Sequence, residues 1–150
     1  MSRDLAAFTR IAAMDHGLCV VNTVRVDGTI QSSVVNAGVL VHPTSGDQAV
    51  GLVAVGGSAK LANLRKQRRL SVVARSGWQW ATVEGDADLI GPDDPWPGID
   101  AEALRQLLRE VFTAAGGTHD DWEEYDRTMA VERRTAVLVT PVRTYGVSPE

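Results

Sequence analysis

The sequence predicts a mainly β fold of the α+β kind: an antiparallel barrel of about six strands with flanking helices. Three observations lead there. The β-rich runs follow one another with few helical patterns between them, which disfavours a doubly wound parallel sheet. Short turn signals such as Asp27-Gly28, Pro43-Thr44-Ser45-Gly46-Asp47 and Ser76-Gly77 separate those runs. The chain has 150 residues, 44% apolar and 23% charged, which is the composition of one globular domain spanning residues 1–150.

In chain order, Leu5, Phe8, Ile11 and Ala12 fall at helical spacing behind Asp4, so residues 4–14 are expected to form a short amphipathic helix ended by His16-Gly17. Leu18 to Val26 is β-rich, and Asp27-Gly28 is the strongest hairpin signal, with Thr29 to Val35 returning. Further strands are expected at 38–41, 49–55, 70–75, 79–90 and 135–147. Gly85 and Pro141 should mark a bulge or bend. Helical patterns interrupt at 59–68, at 101–114 (Leu104, Leu107, Leu108, Val111 and Phe112 on one side) and at 119–130 (Trp122, Tyr125 and Met129).

Charge and composition exclude several functions. Fifteen Lys and Arg against nineteen Asp and Glu give a net charge of -4, which argues against a general nucleic-acid binder. The single cysteine, Cys19, cannot close an internal disulfide and reads as a packed thiol. No run approaches the ~20 apolar residues of a membrane span, and the segment up to His16 lacks the apolar core of a signal peptide; a cytoplasmic protein is expected. His16, His42 and His119 are scattered, so no metal site is expected. No Gly-x-Ser-x-Gly, Walker or Gly-x-Gly-x-x-Gly motif occurs.

The segment most informative about chemistry is Val53 to Leu64, a strand, a Gly56-Gly57-Ser58 corner and a helix start bearing Lys60. Amide groups freed at a helix N-terminus favour phosphate, Ser58 offers a hydroxyl, and Lys60 supplies a full charge. Turn-and-cap chemistry alone would also place Gly-Gly-Ser there. The strand Gln31-Ser32-Ser33-Val34-Val35-Asn36 carries polar atoms on both faces, either to bond the polar edge of a flat heterocycle or to face solvent. Trp78 and Trp80 stand two apart at a strand start and should share a face. The basic run Arg65-Lys66-Gln67-Arg68-Arg69 reads as a solvated helix end.

Taken together, Asp27-Gly28, Gln31-Ser32-Ser33, Ser58-Ala59-Lys60-x-x-Asn63-Leu64, Gly77-Trp78, Val83-Glu84-Gly85, Asp120-Asp121-Trp122-x-x-Tyr125, Glu132-Arg133-Arg134 and Tyr145-Gly146 resemble the split β-barrel reductases related to pyridoxamine 5'-phosphate oxidase. Within them the chain is similar to the actinobacterial (mycobacterial-type) branch that uses the deazaflavin coenzyme F420. The resemblance implies the FMN-binding split-barrel fold and a homodimer whose subunits both contribute to each coenzyme cleft. It also implies that reduced F420 passes a hydride to an electron-poor acceptor of quinone, unsaturated lactone or tetrapyrrole type. By the same resemblance Lys60, Asn63 and Leu64, with Ser58, match the phosphate and helix-start element, Gln31, Ser33 and Val35 the strand lining the deazaflavin, and Trp78 and Trp80 the opposing wall. Flavin-using relatives ring a terminal phosphate with several cations, so one lysine and a serine favour the phosphodiester of F420. Arg65, Lys66 and Arg75 would then be free for its oligoglutamate tail. The alternatives are an FMN-dependent oxidoreductase on the same scaffold, or a non-catalytic module binding F420 or a tetrapyrrole. No side chain is singled out as a general acid.

Overall fold

The computed structural model describes residues 2–148. Six antiparallel strands close into a barrel in the order β1-β2-β3-β6-β5-β4: β1 Leu18–Val24, β2 Ile30–Val41, β3 Gln48–Ala54, β4 Arg69–Ser76, β5 Gln79–Ile90 and β6 Thr135–Val147. Helix α1 (Ala6–Met14) packs on β4 and β5, α2 (Ala59–Lys66) joins β3 to β4, and α3 (Ala101–Ala114) and α4 (Trp122–Val131) lie between β5 and β6. Helices between β3 and β4 and between β5 and β6 leave every pairing antiparallel, as the near absence of crossover patterns requires.

Two apolar cores follow from strand alternation. Inward residues Cys19, Val21, Val50, Leu52, Val72, Val83, Val137 and Val139 fill the barrel with Phe8 and Ile11 of α1 and Leu61 and Leu64 of α2. The outer side of β3 and β6 (Ala49, Ala136, Leu138) meets Leu107, Leu108 and Val111 of α3 and Tyr125 of α4. Helix α3 can lie this close because Gly38 has no side chain. A Cβ there would stand 2.0 Å from the Ala114 carbonyl oxygen, far inside contact distance.

The Asp27-Gly28 signal forms a three-residue hairpin loop. The Arg25 amide donates to the Thr29 carbonyl, Gly28 N–H donates to the Arg25 carbonyl, and Gly28 holds φ 86. Three local expectations are corrected. The runs 29–35 and 38–41 are one strand, because β2 changes partner rather than ending: residues 30–36 pair with β1 and residues 37–41 with β3. Helix α4 starts at Trp122 instead of residue 119, since Asp121 caps it by accepting from the Glu124 amide. Trp78 sits in the two-residue turn between Ser76 and Gln79 rather than on the strand with Trp80. Gly85 does carry the register shift, opposite Pro141.

Candidate functional site

The partner switch of β2 creates the opening that matters. Below Ala37 the strand has β1 on one side and no strand on the other. Ala37 N–H donates to Gly17 O and Arg25 N–H to Thr29 O, so the odd-numbered residues of β2 face β1. By that parity the backbone groups of Ser32, Val34 and Asn36 point to the unpaired edge. The inward row beside them, Gln31, Ser33 and Val35, is half-buried.

Next to this edge lies a cleft of about 580 Å³. Val34, Val35 and Asn36 form one wall, Val53 to Val55 with Ser58 and Lys60 a second, and Phe112, His119, Tyr125, Thr128, Met129 and Arg134 the third. Ser58 caps α2, its Oγ accepting from the Leu61 amide at 3.4 Å. Gly57 has φ 80 and open space around it, whereas Gly56 is needed because a Cβ would stand 2.7 Å from Arg133. The Gly56 amide donates to Glu132 O at 3.0 Å, tying this corner to the end of α4. That end is a Schellman turn: Arg134 N–H donates to Met129 O and Arg133 N–H to Ala130 O, with Arg133 at φ 50. The turn carries Arg134 into the cleft.

Lys60 and Arg134 thereby come together from distant parts of the chain. Burial, then the neighbouring Arg134 guanidinium, hold the Lys60 ammonium below the usual lysine range. Arg134 is already paired with Glu132 at 2.7 Å. Lys60 has no acidic partner among the described residues. Two cations of which one is balanced leave about one uncompensated positive charge, at the start of a capped helix, where an anion is stabilised. The expectation of a single cation is therefore extended to Lys60 plus an Arg134 already paired with Glu132. Only the wider cluster Glu132-Arg133-Arg134 signals that arginine in the sequence; nothing local connects it to Lys60.

The remaining site residues separate into groups. Val35, Ser58 and Lys60 line the cleft. The Asn63 amide donates to Thr23 Oγ1, which donates to Gln31 Oε1, both at 3.1 Å, so Asn63 and Gln31 together pin α2 across β1 and β2. Among the described residues the Gln31 amide N–H groups meet no acceptor. Ser33 Oγ is buried without a hydrogen-bond partner among the described residues, a state that costs stability unless something meets it. Leu64 is wholly buried in the barrel core, so its part is to seat α2. Trp80 lies in a different depression, with Tyr145 edge-on at 6.1 Å, and Trp78 is 94% exposed; neither lines this cleft within the same chain. The basic run is not free, because Arg65 pairs bidentately with Asp94, Arg68 with Asp88 and Arg69 with Asp86. Of the three residues expected to be free for an acidic tail, Arg65 is thus withdrawn, and Arg75 Nε is engaged by Gly77 O.

These features fit a planar, hydrogen-bonding ring joined to a phosphate. The unpaired β2 edge suits the ring's polar rim, Val35 its face, and Ser58 with Lys60 and Arg134 the phosphate. Among the described residues no group of three or more His, Cys, Asp or Glu side chains is placed to hold a metal ion, and no helix is long and apolar enough to cross a membrane.

No protein-family model matches the chain. Solved structures do. A conserved hypothetical protein from Mycobacterium tuberculosis matches at 20% identity and TM-score 0.67, over 97% of this chain and 84% of that one. A pyridoxamine 5'-phosphate oxidase-related, FMN-binding protein from Nostoc punctiforme matches at 15% identity and TM-score 0.63, over 97% and 86%. The fold is the pyridoxamine 5'-phosphate oxidase-like split barrel. An F420 reductase shares it at 14% identity and TM-score 0.57, over 85% of this chain and 88% of that one. At these identities the likeness is one of architecture, and the split barrel's chemistry has to be argued from the cleft.

Proposed function

We propose that the protein is an oxidoreductase that holds coenzyme F420 in the Lys60–Arg134 cleft and passes a hydride to an electron-poor small molecule. The observation that carries the reading is the charge balance at that cleft. Because Glu132 already offsets Arg134, about one positive charge remains for the ligand, which suits the monoanionic phosphodiester of F420 better than the terminal phosphate of FMN. The F420 reductase among the split-barrel neighbours is consistent with it.

In this reading the chain's own residues bind, orient and exclude water. Ser58, Lys60 and the α2 amides hold the phosphate. The β2 edge fixes the ring's polar rim, and the Val35 side chain takes its face. Phe112, Tyr125 and Met129 wall the space where an acceptor would stack and keep it dry. When bound in its reduced form, the coenzyme supplies the hydride. The Tyr125 hydroxyl donates to the Leu108 carbonyl at 2.9 Å, and burial pushes its pKa up to about 12, so it serves as a wall and not as an acid.

The reading also includes a second copy of the chain. The outer face of β1 and β2 exposes Leu18, Val20, Ile30 and Val34, an apolar strip of the kind that dimer interfaces cover. A partner would let the protruding Trp78 reach a cleft that its own chain cannot. Solution mass by light scattering, for the protein and for Trp78→Ala, checks this: a dimer with weakened coenzyme binding in the variant is expected, and a monomer that binds coenzyme at full strength removes the second copy from the proposal.

The central test is side-by-side titration of the protein with F420 and FMN, followed by mixing with reduced F420 and quinone, unsaturated-lactone and tetrapyrrole acceptors. Tighter binding of F420 and oxidation of its reduced form are expected. Tighter FMN binding would reassign the coenzyme, binding without turnover would make the protein a carrier module, and no binding of either would end the proposal.

A further inference from the structure

We propose that His119 donates a hydrogen bond from Nε2 to the carbonyl oxygen of the acceptor. It would thereby select acceptors whose electron-poor carbon is conjugated to a carbonyl. The inference rests on the reading of the cleft as a hydride-transfer site and names what that reading leaves open, the residue that holds the acceptor's carbonyl.

His119 lies in the loop between α3 and α4, and it lines the same cleft as Lys60. The ring is held on several sides. Phe112 and Tyr125 stand edge-on at 6.3 and 5.8 Å, and Trp122 lies at 6.0 Å with its plane tilted by 31°. Gly117 brings the loop against Phe112, where a Cβ would stand 2.5 Å from the ring. Nδ1 accepts the Asp121 amide at 3.0 Å, beside the first turn of α4. An Nδ1 that accepts leaves the neutral ring's proton on Nε2. Among the described residues that N–H has no hydrogen-bond acceptor: the nearest carboxylate, Glu124 Oε1, is 3.9 Å away on an exposed side chain. A neutral imidazole whose Nδ1 is taken by a backbone amide near a helix start and whose Nε2–H is unspent is a donor for a developing oxyanion.

The other donors in the cleft are committed or unoriented. The Tyr125 hydroxyl is given to Leu108 O, the Asn36 amide to His16 O, and Lys60 and Arg134 sit at the anion end. Thr128 lines the cleft, but no hydrogen bond fixes its hydroxyl.

The step balances as follows. A hydride from the reduced deazaflavin forms a C–H bond at the β-carbon of an α,β-unsaturated carbonyl compound. The C=C pair moves toward the oxygen, giving an enolate whose charge the Nε2–H stabilises. A proton from water then closes the α-carbon. The acceptor is reduced by two electrons, the deazaflavin is oxidised by two, and His119 keeps its proton.

The test uses the full chain, coumarin as an unsaturated lactone probe, and 2H-chromene as its carbonyl-free counterpart. Binding is measured both to the protein alone and to protein holding oxidised F420, so that no turnover intervenes. His119→Asn retains an acceptor for the Asp121 amide but loses the reaching donor; His119→Gln places an amide N–H near the Nε2 position. The expected result is that His119→Asn weakens coumarin binding by about three- to tenfold, the value of one neutral hydrogen bond. Chromene binding should be unchanged, and His119→Gln should restore part of the loss. Nitrogen-15 spectra of the histidines, assigned with the Asn variant, should show the Nε2–H tautomer for His119 and a shift on adding coumarin.

Equal loss for both probes, loss that tracks Thr128→Val instead, an Nδ1–H tautomer, or failure of the wild type to bind coumarin would each overturn the proposal. If F420 fails to bind while the bare protein still distinguishes the two probes through His119, the redox reading falls and the hydrogen bond stands.

Discussion

Replacing Lys60 by methionine should move two measurements in opposite directions. In the free protein the Lys60 ammonium is half-buried and faces Arg134 without an acid of its own, and both circumstances lower its pKa, burial most. A lysine whose pKa is lower in the fold than in the unfolded chain destabilises the fold while it is charged, and that penalty fades as pH rises through the folded pKa toward the ordinary lysine value of 10.5. Methionine has similar length and no charge, so urea denaturation at neutral pH should show a variant at least as stable as the wild type, with the difference closing at high pH. Coenzyme binding should suffer. A charge-assisted contact is worth roughly 1.5–3 kcal/mol, and at about 1.4 kcal/mol per factor of ten this is about a 10- to 150-fold rise in Kd. Fluorescence titration at fixed ionic strength reads it directly. A variant that loses stability would make Lys60 a structural residue, and one that binds F420 as tightly as the wild type would place the phosphate elsewhere; either result refutes the reasoning.

Three further outcomes are expected. Gly38→Ala drives a methyl into the Ala114 carbonyl and should destabilise by about 1–3 kcal/mol or more, as overpacking does, seen as a lower urea midpoint with an unchanged slope. Arg133→Gly removes a left-handed conformation, φ 50, that costs a non-glycine residue about 1–2 kcal/mol. It also removes an ion pair with Asp93 that is solvent-exposed and contributes little, so thermal unfolding should show a neutral to stabilised variant. Cys19 is buried, and burial, reinforced by Asp15, raises its thiol to about 12; a thiol reagent at pH 8 should leave it unmodified in the folded protein and modify it promptly in denaturant.

The barrel was legible because alternation and turn chemistry are local properties. Leu18 to Val26 and Gln79 to Ile90 read as strands from their own residues, the first ending at Val24 in the structure, and Gly85 marked its bulge. The change of partner in β2 was not legible: nothing in Asn36-Ala37-Gly38 distinguishes a strand that ends from one that exchanges neighbours, since pairing is decided by distant chain. Lys60 and Ser58 could be recognised at their helix start, but Arg134 reaches them through a Schellman turn and a hydrogen bond from the Gly56 amide to the Glu132 carbonyl, contacts with no trace in spacing. His119 gave no signal, because an isolated histidine acquires a role only from what surrounds it. Arg65, Arg68 and Arg69 are exposed as their run suggests, but their pairing was not legible, because Asp94, Asp88 and Asp86 lie on and just beyond β5.

The exposed rail of main-chain groups along Ile30 to Asn36 has a consequence for handling the molecule. This stretch contains neither a proline nor a charged side chain, the two gatekeepers that commonly stop strangers from docking edge to edge. Protein stored without an occupant in its opening should therefore be the form that precipitates, through cross-strand growth from this one segment, and a small molecule seated there would act as its preservative.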